Sequence, residues 1–195
     1  MTAFEPFNSE QINAALEAVT RVNPPDGITL RTLTVPTVFG LCTDTVMDTV
    51  RSFRPDVVIM TGQASGRSAI SLERIAVNLR DARIPDNAQN QPVDLPVDPN
   101  GPSAYFSTLP IKAMRKAILA AGVPCELSCS AGTFVCNDLM YGVLHALSCE
   151  AAPAIAGFIH LPCTPEQAAL YTREMPSLKT EDAVKGLEAA LASLL

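Results

Sequence analysis

Two hydrophobic periods alternate along the chain. Residues 10–21 (EQINAALEAVTR) have helical composition, and residues 28–36 (ITLRTLTVP) alternate apolar and polar positions as a strand does. Residues 40–53 read as a helix, and 56–61 (DVVIMT) as a short buried strand that runs into Gly62. Residues 69–79 (AISLERIAVNL) are rich in β-branched side chains and predict strands. Residues 84–103 carry Pro, Asp and Asn and predict a long loop, of a length that is more often functional than idle. Beyond it the pattern gives a helix at 110–121, a strand near 124–129, a helix from about 134 to 148 and a buried strand at 154–161. An amphipathic helix at about 180–194 closes the chain. No repeat or linker divides it, so the expectation is one domain over 1–195. That domain is an α/β/α sandwich, a mixed twisted sheet with helices on both faces. Ligand sites in such folds lie at the carboxyl ends of strands, which draws attention to the segments after the strands near 60, 129 and 159.

Composition narrows the function classes. Hydrophobic residues make up 48% and charged residues 17%, as in a folded globular chain. The mean hydropathy of +0.21 fits either a subunit interface or a thick alanine-rich core. A net charge of −6 with no basic run argues against a nucleic-acid partner. There is no apolar stretch long enough for a membrane span and no positive-then-apolar leader, so a cytoplasmic protein is expected. The six cysteines form no CxxC pair and have no zinc-finger spacing; they read as reduced thiols, most of them small core residues.

Three residues could carry chemistry together. Cys136, in SAGTFVCND, falls in the first turns of a predicted helix, where the helix dipole and free N–H groups favour a thiolate and could bind an oxyanion. A buried core cysteine is the competing reading. Of the two histidines, His145 lies in a helix body, whereas His160, in GFIHLPC, ends a strand and is placed to reach a cleft as a base. Glu73, in SLERIAVN, is an acid among apolar residues and needs a partner. Arg74 next to it offers a plain salt bridge; a carboxylate orienting an imidazole is the alternative, and the residues leave both open. Phe4 and Phe7, in FEPF, are either core or a sandwich for a flat ligand. Arg83, in DARIPDN, either stabilises developing negative charge or bridges to an acid.

Taken together, the chain resembles the pyroglutamyl peptidase type I (pyrrolidone-carboxylate peptidase) family. The matching stretches are FEPF at 4–7, VPTVF at 35–39, PDVVIMTGQASGR at 55–67, ERIAVN at 73–78, DARIPDNAQNQPVD at 81–94, GPSAYFSTLPIK at 101–112, SAGTFVCN at 130–137 and GFIHLP at 157–162. The resemblance implies a thiol peptidase that cleaves after an N-terminal 5-oxoproline, with Cys136 as nucleophile, His160 as base and Glu73 as third member. It further implies that Phe4 and Phe7 hold the lactam ring, that Gln63 lines the site and that Arg83 lies near the oxyanion. It implies a homo-oligomer, a tetramer or dimer, needing no metal or organic cofactor.

The chain departs from the family pattern at its start. Ala3 stands where the family has the Gly of TGF, and Asn8-Ser9 where it has a glycine pair; Asn tolerates the left-handed backbone a glycine would supply. Competing functions are a homologue that only captures pyroglutamyl ends, and a nucleosidase or general amidase, for which no phosphate loop or Arg cluster is present. A redox protein lacks its CxxC.

Overall fold

The structure, a computed structural model, describes residues 1–8 and 10–195. Its main sheet contains β1 (Thr2–Phe4), β2 (Leu33–Val35), β3 (Val57–Gln63), β4 (Ile70–Glu73), β7 (Cys125–Ser128) and β8 (Ile155–Leu161), in the order β2-β1-β3-β8-β4-β7. Strands β5 (Ile75–Val77) and β6 (Ala104–Phe106) form a separate antiparallel pair. The helices are α1 (Ala14–Val19), α2 (Leu41–Phe53), α3 (Ile111–Ala120), α4 (Val135–Cys149), α5 (Pro165–Ala168) and α6 (Thr180–Ala192). The sheet is mixed, as expected: β3 and β8 are parallel in full register from Val57↔Ile155 to Gln63↔Leu161, whereas β4 runs antiparallel to β8 and parallel to β7.

Strand alternation assigns each face its helices. Ile59, Ile70, Leu72, Ile159 and Leu161 point into one apolar cluster with Ala15, Met114, Ile118, Leu187 and Leu191, from α1, α3 and α6. Phe4, Val58, Met60, Ala156 and Phe158 point into the other, with Val46, Leu139, Met140 and Leu144 of α2 and α4. Helix α4 is the central one and buries nine of its residues. It approaches α2 closely at Gly142, where an added Cβ would lie 2.5 Å from Thr43 Oγ1 and 2.7 Å from its Cγ2.

Several expected elements are shorter or divided. The helix expected from residue 10 begins at Ala14, because the Asn13 side chain accepts the N–H groups of Ala15 and Leu16 and caps it there. The strand run 69–79 breaks at Arg74: β4 joins the main sheet and β5 turns away to pair with β6. The strand near 129 runs opposite to β3 and β8, so its carboxyl end does not lie beside theirs, and the chain returns through residues 129–134 to start α4. The patterning missed β6 and the one-turn α5, which is closed by a Thr164/Gln167 capping box.

The long loop is ordered by its own polar groups. Asp86 accepts N–H bonds from Phe39, Ala88 and Asn90, and these hold its carboxyl below the usual range against the upward push of burial. Asn87 Nδ2 donates to Glu5 Oε1 (2.8 Å) and to Pro6 O (3.1 Å), tying the loop to the FEPF segment. Asn8, at φ 53°, occupies the left-handed region expected of it; Ser9 lies outside the described residues.

Gly142→Ala should destabilise the protein by about 1–3 kcal/mol. Alanine is the better helix former, but the β-branched Thr43 presents several atoms to the new methyl and no rotation clears them all. A thermal melt checks this, and a Tm at or above wild type contradicts it.

Candidate active site

The site lies on the α4 side of the sheet, where β3 and β8 run side by side. His160 shares the face of Phe158, and their rings lie 4.7 Å apart between centroids. Its register partner on β3 is Gly62. Over Gly62 sits the sulfur of Cys136: a Cβ at Gly62 would be 3.0 Å from Cys136 Sγ and 2.9 Å from Phe158 Cζ. The absence of a side chain at residue 62 thus makes room for the thiol beside the imidazole. Cys136 occupies the first turn of α4, which begins after Phe134 with no side-chain cap, leaving first-turn N–H groups available to an oxygen anion.

Glu73, wholly buried at the end of β4, points to the same face. Its Oε1 receives His160 Nδ1 at 2.7 Å and Arg67 NH1 at 2.7 Å. The bond to the carboxylate assigns the proton to Nδ1 and leaves Nε2 as the free base of the ring. Burial pushes the Glu73 carboxyl up, but the His160 hydrogen bond and charge, the adjacent Ser128 hydroxyl and Arg67 outweigh it and hold the group below the usual glutamate range. Burial also dominates at His160, lowering its pKa; Glu73 opposes that and Arg67 adds to it. At Cys136, burial first and the Glu73 charge second push the thiol up to about 12, against the pull of Arg67 and of the residue's own N–H.

Burial thus favours a neutral thiol beside a neutral imidazole, against the thiolate that the helix terminus by itself would favour. Magnitudes explain the difference. A rise from 9.0 to about 12 corresponds to roughly 4 kcal/mol against ionisation. A helix terminus typically offers about 0.3–1 kcal/mol. Among the described residues no hydrogen bond joins Cys136 to His160.

The other singled-out residues are placed differently from one another. Phe4 is 3% exposed, and its ring packs in the core against Phe158 at 6.4 Å. Phe7 is half-buried and packs on Phe134 at 5.1 Å, which in turn meets Phe39 edge-on at 5.3 Å. The accessible aromatic wall next to Cys136 is thus Phe7 with Phe134, and Phe134 had not been singled out from the sequence. Gln63 points to the opposite face: its Oε1 accepts from Ala14 N and Gln167 Nε2, and its Nε2 donates to Glu10 and Ser65. Arg83 is exposed and, among the described residues, makes no ion pair. The guanidinium beside the thiol belongs instead to Arg67, in the GQASGR stretch. Arg74 does not pair with Glu73, because neighbours on an extended chain face opposite ways; among the described residues its buried Nε has no hydrogen-bond partner. His145 sits far along α4, bonded through Nδ1 to Tyr105 OH at 2.9 Å.

A strand-end imidazole, an orienting carboxylate and a thiol at a helix start, on an α/β/α sandwich, define the class as a cysteine hydrolase. Comparison with known proteins narrows it. The sequence pattern of the pyroglutamyl peptidase family matches residues 1–195. A pyrrolidone-carboxylate peptidase of Levilactobacillus brevis is 50% identical, covering 100% of this chain and 96% of that protein. One from Escherichia fergusonii is 47% identical, covering 100% and 91%. The crystal structure of Bacillus amyloliquefaciens pyroglutamyl peptidase I superposes with a TM-score of 0.94 at 40% identity, covering 98% of this chain and 93% of that one. A mutant pyrrolidone carboxyl peptidase from the hyperthermophile Pyrococcus furiosus gives 0.90 at 39% identity, covering 98% and 95%. The chain belongs to the pyroglutamyl peptidase family. Among the described residues, no helix is long and apolar enough to cross a membrane, and no cluster of three or more His, Cys, Asp or Glu is disposed to hold a metal ion.

His160 should titrate below the ordinary 6.5, because its burial disfavours the imidazolium more than Glu73 favours it. Two-dimensional NMR of histidine-labelled protein, with His145→Gln to assign the second ring, measures this directly. A midpoint above 6.5 for His160 would mean that the Glu73 contact outweighs desolvation.

Proposed function

We propose that this pyroglutamyl peptidase cleaves the amide after an N-terminal 5-oxoproline through a thioester on Cys136, with His160 as base and Glu73 as the carboxylate that orients it. The observation that carries the reading is the shared geometry at Gly62: the thiol lies over the residue that is the imidazole's sheet neighbour on β3.

His160 Nε2 takes the thiol proton as Cys136 Sγ attacks the carbonyl carbon that joins the lactam to the next residue. From the neutral pair that burial favours, the proton moves with the attack. First-turn N–H groups of α4 receive the oxygen anion; one such donor is typically worth ~3 kcal/mol in the barrier. Collapse of the tetrahedral species returns that proton from Nε2 to the departing amine. A water then gives its proton to Nε2 and its oxygen to the thioester carbonyl, and 5-oxoproline leaves as the thiol is restored. Glu73 holds Nδ1–H throughout and stabilises the transient imidazolium.

The flat, uncharged lactam suits the Phe7–Phe134 wall. Phe4 packs on Phe158, whose ring meets His160, and so backs the base, while Gln63 braces the Glu10–Ala14 segment that follows Phe7. The loop residue Arg83 is free to meet the peptide beyond the scissile bond.

The reading includes one peptidase domain over 1–195 and a homo-oligomer. Support for the latter comes from large apolar side chains left open, among them Phe106 on the outlying β5–β6 pair at 67% exposure. Sedimentation velocity tests it, with a monomer at micromolar concentration counting against it. Six free thiols suit a reducing compartment such as the cytoplasm.

Release of a fluorescent amine from its pyroglutamyl amide, in reducing buffer, tests the activity. Wild type should turn over that compound and leave the prolyl amide intact, and Cys136→Ser should be inactive. A folded wild type that binds the pyroglutamyl amide without turnover would replace the peptidase reading with a capture protein. Gly62→Ala should lower kcat by about 10²-fold, because displacing the nucleophile by even 1 Å carries a cost of that size. Turnover at the wild-type rate in that variant would remove Gly62 from the account.

A further inference from the structure

Arg67 stands in the connection between β3 and β4, with its side chain 24% exposed. One arm, NH1, donates to Glu73 Oε1 at 2.7 Å, and the other, NH2, donates to the backbone carbonyl of Ser130 at 3.1 Å. The first contact is to the same oxygen that receives His160 Nδ1–H. The second is to the 129–134 segment that leads into α4 and sets where Cys136 begins. Among the described residues Glu73 Oε2 is buried with no hydrogen-bond partner, so the contacts of the carboxylate with both the guanidinium and the imidazole fall on Oε1. Without Arg67 the wholly buried carboxylate would lose its one permanently charged partner and be left to the imidazole and the adjacent Ser128 hydroxyl, which still hold it ionised but no longer fix its orientation.

We propose that Arg67 is a positioning residue of this reaction: a two-armed bridge that locks the Glu73 carboxylate onto His160 and the Ser130 carbonyl ahead of Cys136. The proposal rests on the peptidase reading above. The base and the nucleophile come from elements far apart in sequence, and Arg67 is the side chain that touches the supports of both. A fork is needed, since the two acceptors lie in different segments and a lysine ammonium, a point charge on a flexible stem, does not reproduce a planar guanidinium with one acceptor on each arm.

The charge of Arg67 has a second effect. The charged and titratable groups around His160 are Glu73 from β4, Arg67 from the loop and Cys136 from α4. Those around Cys136 are Glu73, Arg67 and the Cys42 thiol of α2. Arg67 disfavours protonation of both His160 and Cys136, and Glu73 favours it. Loss of the charge moves both groups toward higher pH. The acid limb of kcat/KM, which needs neutral His160, moves up with them.

The test compares full-length wild type, Arg67→Gln and Arg67→Lys. Three quantities are followed: turnover of a pyroglutamyl amide against pH, alkylation of Cys136 by iodoacetamide against pH (read by mass spectrometry), and folding by circular dichroism. Arg67→Gln should lose about 10²-fold in kcat, the low end of what a positioned base is worth, with KM changed little. Its acid limb and its alkylation midpoint should both rise. Arg67→Lys should keep the wild-type limb while losing about tenfold in kcat, because charge survives and the fork does not. A folded Arg67→Gln with wild-type limb and wild-type alkylation profile overturns the proposal, as does an equal loss of kcat in both variants with no movement of the limb. If Arg67→Gln does not fold, Arg67→Lys decides, and wild-type kcat there overturns the bridge. A wild type without turnover would sink the peptidase reading alone, because the alkylation profile reports on Arg67 with no substrate present.

Discussion

A carboxylate with no solvent exposure sits at the centre of this molecule, and the surrounding structure is arranged to keep it charged. Burying an unpaired carboxylate costs several kcal/mol, so Glu73 must be met by donors wherever it is placed. It is met at one oxygen by His160 and Arg67, which arrive from different elements. The antiparallel entry of β4 beside β8 makes this possible. Ser71 lies opposite His160 and Leu72 opposite Ile159, so Glu73 stands on the imidazole's own face and reaches it diagonally past Phe158. Had β4 slipped by one residue, Glu73 would point into the α1–α3–α6 layer among apolar side chains such as Ile118 and Leu187, and Ile70 and Leu72 would be turned out of it.

The same burial that makes Glu73 demanding also sets the state of the other two groups. Desolvation lowers the basicity of His160 and raises the thiol of Cys136, so burial favours the uncharged form of both. A site of this kind stores its electrostatic work for the moment when charge develops. In the proposed mechanism the imidazolium formed during attack is at once opposite an ionised Glu73, and the oxygen anion is at once at the start of a fifteen-residue helix.

The order of helices and strands was legible because each segment's period matches its environment. Buried β3 and β8 are continuous apolar runs, and α6 shows an amphipathic stripe. The sense of β4 and β7 was not legible, since a four-residue strand carries no mark of direction and its pairing is decided by long-range packing. The proposed triad was weakly marked by local chemistry and clearly marked by resemblance. Arg67 escaped notice because an arginine in a Gly/Ser loop has no pattern, while Arg74, adjacent to Glu73, looked like the natural partner. Strand alternation alone argues against that partner. Phe4 and Phe7 look alike in FEPF but differ in fate: Phe4 is still on β1 and inherits its buried face, whereas Phe7 comes after Pro6, where the strand has ended.

The acids around the aromatic wall bear on what the site selects. An aminopeptidase that grips a free ammonium needs an available carboxylate where the N-terminus lies. Here Glu5, inside FEPF itself, is occupied by the Thr37 N–H and the Asn87 amide. Glu10 accepts from Gln63 and Gln167, and its other oxygen from Tyr171 at 3.4 Å. Glu73 is committed to His160 and Arg67. These three carboxylates are thus engaged by donors of the protein's own, and an ammonium reaching for one would have to displace such a bond while shedding its own water. A lactam asks for neither: on the proposed Phe7–Phe134 wall it would present a neutral ring and bring no charge to be matched. Selection for the blocked N-terminus follows from the prior engagement of the acids as much as from the shape of the aromatic wall.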